Sequence, residues 1–483
     1  AFESCTSLEK IVLPARLSQM SLYDTQETKA SASSSNWSYQ QSVFKNCYKL
    51  STIEVTGNAV KNIAPVYSAQ NGMLLTGDGK TVLYYPKGKT DTKLVLPDSV
   101  TRIENKAFYK ASKLAVVEIP ERIEYIGESA FEGCENIDTL TFLGVDGSAD
   151  LRIGRRAFYG CTSILTLTLT ENVRYLGEYA FGNTRNLTEV TVNSNGNVVF
   201  EAGAFAAFSR DYQTGAITGS GDSKVQTLNI GKGLSGVDIS STFGGTSAAL
   251  ATVRVDKENN YYYEGSDGVI YDKNLDEENV NQPTKILYYP VLKAGEYEVP
   301  STITEIGANV FAQRLKLTKI TIGNNVKSIG DHAFASCTAL TEIVWLPARE
   351  GEETNDLTIG DYAFWRCYNK ALTKLTIPAR VISIGSNAFG QCDELTEIAF
   401  EERQGKELTI GERAFFDCES ITEIALPEGV ISVGYQAFAA CENLVKITFP
   451  ASVERLGKWT KIEGKDGEPD TYSFQDIELF STS

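Results

Sequence analysis

One phenylalanine keeps returning in this chain. It stands at positions 2, 44, 108, 131, 158, 181, 205, 243, 311, 334, 364, 389, 415 and 438, with a clean spacing of 23 residues that insertions stretch to between 24 and 30. Alanine precedes it in eleven of the fourteen cases. A period of this length marks a solenoid, in which each unit buries apolar surface against its neighbours. The usual prior of about three globular domains for 483 residues therefore does not apply.

The unit "ISVGYQAFAACENLVKITFP" (431–450) illustrates the coil. Six residues after Phe438 comes Leu444, and the same slot holds Leu340, Leu395 and Ile421. Ile447 and Phe449 then alternate with Lys446 and Thr448, the period of a strand with one buried face. Pro450, with no N–H to donate, stops the ladder. A short apolar pair, Val453 and Leu456, leads to Gly457, which matches Gly330, Gly385, Gly411 and Gly434. Such a glycine fits a tight corner or a positive φ.

All nine cysteines (Cys5, Cys47, Cys134, Cys161, Cys337, Cys367, Cys392, Cys418, Cys441) lie three residues after the unit's Phe. The slot elsewhere holds Ala111, Thr184, Phe208, Thr246 or Arg314. A position shared by Cys, Ala and Thr suits a small buried side chain. The alternatives are a metal ladder, a disulfide framework or a reactive thiol. Zinc would want paired CxxC or nearby histidines, and the chain has one His and no such pair. Nine is odd for a disulfide set. The expected core ladder is Cys134, Cys161, Cys337, Cys367, Cys392, Cys418 and Cys441 with Phe131, Phe158, Phe181, Phe334, Phe364, Phe389, Phe415 and Phe438.

The recurring "VxxIGxxAFxxCxxLxxIxIP" resembles the BspA-like branch of the leucine-rich repeats over nearly the whole chain. The resemblance implies a β-rich, α/β-type repeat solenoid, a right-handed curved array of about 23-residue coils. It also implies a cell-surface or secreted bacterial or protozoan protein that binds other proteins, with no catalytic residues to carry over.

Two stretches break the period: "YSAQNGMLLTGDGKTVLYYPKG" and "YYYEGSDGVIYDKNLDEENVNQPTKILYYPVL". Each reads as an inserted β-hairpin, at about 66–90 and 257–297. Phe44 to Phe243 is 199 residues and Phe108 to Phe311 is 203, which suggests a duplication of roughly 1–205 and 206–483 within one continuous solenoid, 1–483. The polar stretches 24–41, 209–224 and 461–470 read as exposed loops.

A net charge of −17 excludes a basic footprint for nucleic acid. No apolar run approaches the roughly 18 residues of a membrane span. The chain opens inside a repeat without Met and is expected to be a mature product or a piece of one.

Ten of the 23 tyrosines crowd the hairpins. Tyr84, Tyr85, Tyr261, Tyr262, Tyr263, Tyr288 and Tyr289 are the candidate partner contacts, because exposed Tyr is a favoured interface anchor. The competing role is packing the hairpins down. The outward strand slots form a charged row (Glu189, Lys319, Glu342, Lys374, Glu397, Glu423, Lys446) and a threonine row (Thr141, Thr168, Thr191, Thr321, Thr376, Thr448), readable as a docking sheet or a solvated face. "GKGLSG" (231–236) matches a dinucleotide loop only literally, since β-branched and Gly-rich residues follow it rather than a helix. Asp272, Asn274 and Asp276 have calcium-loop spacing, but Glu277 and Pro283 occupy the positions an EF-hand gives to Gly and Glu. His332 shares a variable slot with Tyr362, Asn387, Arg413 and Gln436 and is expected at the surface.

The expected function is a non-enzymatic surface binding or adhesion module, monomeric and extracellular, with a protein ligand and no cofactor or metal. A structural spacer and a carbohydrate-binding or carbohydrate-hydrolysing protein are the alternatives.

Overall fold

The computed structural model describes residues 2–20, 22, 43–57, 64–145, 147–194, 196–201, 203–210, 217–221, 224–236, 239, 250–275, 280–351, 353–367, 372–403, 405–462 and 471–475. They fall into two compact units, 1–260 and 261–483. Each is a β-solenoid with a leucine-rich-repeat-like coil.

The alternating stretch of each coil is a strand with one face inside. In Thr166–Leu169 and Lys374–Ile377 exposed and buried residues alternate. Neighbouring coils pair in parallel and in register, as in Thr166↔Glu189↔Thr227↔Thr252. The short apolar pair after the proline is also a strand, and its sheets are the longer ones. In unit 1 it runs Val199–Phe200, Val173–Leu176, Leu151–Ile153, Tyr125–Ile126, Arg102–Ile103, Thr81–Tyr84, Met73–Thr76, Tyr67–Gln70. In unit 2 an eleven-stranded sheet extends from Tyr262–Glu264 to Thr471–Gln475. Both begin with an antiparallel meander: Tyr67–Gln70, Met73–Thr76 and Thr81–Tyr84 in unit 1, and Tyr262–Glu264, Ile270–Asp272 and Lys285–Tyr288 in unit 2.

The Ala-Phe segment makes a third inter-coil ladder without strand geometry. Every second N–H donates to a carbonyl of the next coil: Arg413 to Tyr435, Phe415 to Ala437, Asp417 to Ala439, all at 2.9 Å. This alternation is achieved by left-handed residues, mostly not glycine: His332, Tyr362, Asn387, Arg413 and Gln436 have φ of 53–56°, and Ser336, Arg366, Gln391 and Asp417 55–59°. Each such residue costs about 1–3 kcal/mol, and the repeated inter-coil hydrogen bonds over-determine it.

The glycines do something else. Of those expected at a tight corner or a positive φ, only Gly457 has a positive φ, at 80°. At Gly385, Gly411 and Gly434 a Cβ would lie 2.5–2.7 Å from backbone atoms of the preceding coil's glycine. They stack because only a residue without a side chain permits that approach.

Inside, the Phe rings stack face to face along each unit. Centroids are 4.6 Å apart for Phe108–Phe131, 5.0 Å for Phe131–Phe158 and Phe158–Phe181, and 4.8 Å for Phe334–Phe364. The series continues through Phe389, Phe415 and Phe438 at 5.0–5.5 Å. Such planar contacts add to area burial.

Phe243, Thr246, Asp276, residues 24–41 and 240–249, and parts of 209–224 and 461–470 lie outside the described residues. Where those last two stretches are described they are not plain loops: Ala207–Arg210 pairs antiparallel with Ile217–Gly221, and Arg455–Ile462 with Thr471–Gln475.

Candidate functional site

The thiols face inward. Cys134, Cys161, Cys337, Cys367, Cys392, Cys418 and Cys441 are buried, and each Sγ donates to the Phe carbonyl of the preceding coil, at 3.0 Å for Cys134–Phe108 and 2.9 Å for Cys337–Phe311. Burial pushes the thiols of Cys134 and Cys337 up to about 12 and that of Cys441 to about 11. Such groups stay protonated at neutral pH and are poor nucleophiles. Other side chains in the slot also donate to a main-chain carbonyl. Thr184 Oγ1 donates to Phe181 O at 2.7 Å, and the buried Arg314 donates from Nε to Tyr289 O at 2.8 Å. Cys5 is exposed.

The two meanders position the tyrosines. Tyr85 packs tilted against Phe108 at 5.1 Å and Tyr289 against Phe311 at 4.7 Å, so these tyrosines take the Phe slot at the head of each regular run. The signal was present: Tyr85 precedes Phe108 by 23 residues and Tyr289 precedes Phe311 by 22. Tyr84 packs on Phe44 at 5.2 Å, and Tyr288 lies 5.5 Å from the Arg314 guanidinium. The expected contact set therefore narrows. Tyr84, Tyr85, Tyr262, Tyr288 and Tyr289 are all buried. A ring filling the coil's interior cannot also meet a partner, which corrects their reading as contacts. Tyr261 and Tyr263 remain at the surface, 49% and 40% exposed.

Around these rings the meanders differ in filling. In unit 2, Tyr271 and Tyr297 share a hydroxyl–hydroxyl bond of 2.7 Å, and Lys293 bonds Asp267 Oδ2 at 2.9 Å above the rings of Tyr289 and Tyr297. Burial pushes the Tyr271 phenol up to about 12 and Tyr297 higher still. In unit 1, Lys89 bonds Asn71 O at 2.9 Å over Tyr85. There a cavity of about 400 Å³ opens, lined by Met73, Tyr85, Asp91 and Leu94 among others.

The charged row is an inter-coil ion-pair ladder: Lys374–Glu397 at 2.6 Å, Lys319–Glu342 at 3.3 Å, Lys446–Glu423 at 3.8 Å. These pairs are exposed and contribute little. A shallow groove of about 670 Å³ in unit 2 has Ile382, Thr409 and Ile431 on its floor, with the Lys406–Asp356 pair (2.6 Å) at its wall. Asp272 is not available to calcium, because its oxygens accept from Thr284 N, Thr284 Oγ1 and Lys285 N at 2.6–2.8 Å. In the Gly231–Gly236 stretch the carbonyls of Gly231 and Leu234 accept from the buried Asn259 side chain, a turn clasp. His332 is exposed and stacks on Tyr362 at 4.8 Å. Among the described residues no helix is long and apolar enough to cross a membrane.

Residues 1–67, 85–209, 288–367 and 357–460 match a family model described as a BspA type leucine rich repeat region, six copies. No curated protein matches the chain. Among solved structures it is similar to a leucine rich cell surface protein from Faecalibacterium prausnitzii, at 18% identity over 80% of this chain and 96% of that one, with a TM-score of 0.46. A leucine-rich repeat protein from Bacteroides ovatus is similar at 20% identity over 81% and 82%, TM-score 0.39. The pneumococcal vaccine antigen PcpA is similar at 18% identity over 81% and 82%, also with a TM-score of 0.39.

Proposed function

The chain belongs to the BspA-type leucine-rich repeat family, and from that premise we propose that it is a non-enzymatic binding and adhesion module of a bacterial cell surface whose ligand is a protein. We further read it as one solenoid, duplicated, with the two meanders as inserted hairpins. The carrying observation is the division of labour in the coil. The thiols and stacked Phe rings are buried and bonded coil to coil, so the groups left to meet a ligand are the variable outward ones. Tyr261 and Tyr263 supply two exposed aromatic rings, just before and on the first strand of the unit 2 meander, where aromatic anchors suit a protein interface.

The test is an array of host matrix and bacterial surface proteins probed with the purified chain and with Tyr261→Ser/Tyr263→Ser, leaving the buried Tyr262 in place. Saturable capture that weakens about tenfold or more in the variant, with unchanged circular dichroism, supports the reading, since truncating one anchor costs about 2 kcal/mol or more. Capture of nothing, or turnover of a glycan or peptide by the purified chain, overturns it.

A further inference from the structure

One row on the eight-stranded sheet of unit 1 differs from its counterpart on the eleven-stranded sheet of unit 2. Its register places Thr81, Arg102, Tyr125, Arg152, Tyr175 and Val199 side by side on successive strands. The Arg102 guanidinium lies 4.5 Å from the centre of the Tyr125 ring, and that of Arg152 4.3 Å from the centre of Tyr175. Both arginines are exposed and both tyrosines half-buried. The equivalent row of unit 2 reads Lys285, Glu305, Ser328, Thr358, Ser383, Thr409, Ser432 and Arg455, small hydroxyls with no ring among them.

The guanidiniums are the informative part. Cations elsewhere on these sheets pair with carboxylates: Arg174 with Asp150 in unit 1 and Lys285 with Glu305 in unit 2. Neither Arg102 nor Arg152 has a side-chain hydrogen bond or ion pair among the described residues. Each sits over a ring while its donor edges stay unused, an arrangement that suits carboxylate or sulfate. The two sit two strands apart, about 10 Å at the ordinary strand spacing. Every strand between them is paired on both sides, so this part of the sheet has no open edge onto which a peptide could add as a strand. Glu201 acts on the Tyr175 hydroxyl and Glu104 and Glu128 flank Tyr125, so the row offers planar cations at a regular interval with the Tyr125 hydroxyl between them. That matches an extended acidic polysaccharide, which brings one anion per disaccharide and hydroxyls between.

We propose that the Arg102–Tyr125–Arg152–Tyr175 row is a binding track for an acidic polysaccharide with one carboxylate or sulfate per disaccharide. This rests on the reading of the chain as a binding module and adds a second ligand class to it. The net charge of −17 opposes approach of a polyanion at long range, so contact depends on the local cations.

The experiment is calorimetric titration of the whole chain with hyaluronan octasaccharide, with its carboxyl-reduced form, and with poly-glutamate. Binding of the octasaccharide, none of the reduced form, and a loss of about tenfold or more in Arg102→Gln/Arg152→Gln support the track. Arg102→Lys/Arg152→Lys keeps the charge without the planar guanidinium, and an intermediate loss supports the same conclusion. No octasaccharide binding at millimolar concentration, equal binding by the Gln variant, or tighter binding of poly-glutamate overturns it. A chain that captures a protein on the array but ignores hyaluronan sinks this inference alone. One that captures neither sinks the binding module as well.

Discussion

The two meanders have the same backbone plan and different contents. Residues 67–84 and 262–288 each lay three antiparallel strands against the head of a parallel run, and each ends in a Tyr-Tyr-Pro whose second Tyr fills the Phe slot. Aligned on Gly72 and Gly268 and on Pro97 and Pro300, Leu75 stands where unit 2 has Tyr271, and Leu94 where it has Tyr297. One coil on, Ala111 stands where unit 2 has Arg314. Three small or aliphatic residues replace three large polar ones. Tyr297 packs on Tyr289, whereas beside Tyr85 and Leu94 a half-open pocket of about 400 Å³ is found. The repeat thus constrains the slot facing the Phe stack tightly and the layer behind it loosely.

The largest test of this contrast is truncation of the two slot tyrosines. Tyr289→Ala is expected to destabilise by about 3–5 kcal/mol, because the ring packs on Phe311 and Tyr297 and its loss leaves a hole in a filled core. Tyr85→Ala is expected to cost roughly 1 kcal/mol less, since that ring already borders open space and forfeits fewer contacts. Urea unfolding of both variants decides it. Equal costs would mean that the cavity does not lessen the packing of Tyr85.

How much of this was legible beforehand follows from what a period can and cannot encode. Phe334, Phe364 and Cys337 lie in a strictly repeated slot, so spacing alone places them in the interior. Tyr85 and Tyr289 obey the same spacing, but a change of residue type and a hairpin signal nearby masked it. The left-handed residues were not legible. His332, Arg413 and Gln436 share a slot whose variety reads as exposure, and nothing in those side chains announces a backbone set by hydrogen bonds to the next coil. For the stacked glycines a tight corner and a positive φ were both open: a glycine signals either special φ or close approach, and only coordinates separate the two. The Arg–Tyr row escaped because two-residue strands such as Arg102–Ile103 are too short to show alternation, although Arg102 and Tyr125 do stand 23 apart.

Alkaline pH gives the next largest effect. Burial raises the Tyr271 phenol to about 12. The unfolded chain then loses that proton near pH 10 while the folded chain keeps it. The contribution is complete below about pH 10 and is lost as pH rises toward 12, amounting to about 2 kcal/mol. Leu75 brings no such group to unit 1. Tyr271→Phe should therefore flatten the fall of stability between pH 10 and 12, measured by urea melts at half-unit steps. An unchanged slope would place the titration elsewhere, with the buried thiols of Cys134 and Cys337 next in line.

The smallest effect is the most discriminating, because it asks whether unit 1 can be given the contents of unit 2. Leu94→Tyr adds a ring beside a cavity that can hold it, so the overpacking cost of a filled core does not arise. Its hydroxyl, however, finds Leu75 where Tyr297 finds Tyr271, and a buried phenol without a partner costs about 1–3 kcal/mol. The gain in contacts and that cost nearly cancel, and stability should stay within about 1 kcal/mol of the parent. Leu75→Tyr alone should behave the same way. Together they rebuild the hydroxyl pair, and a double-mutant cycle should return a favourable coupling of about 0.5–1.5 kcal/mol. A coupling of zero, with both variants folded, would mean that the positions aligned through Gly72 and Pro97 do not face each other as Tyr271 and Tyr297 do. The cavity would then be a difference of backbone rather than of filling.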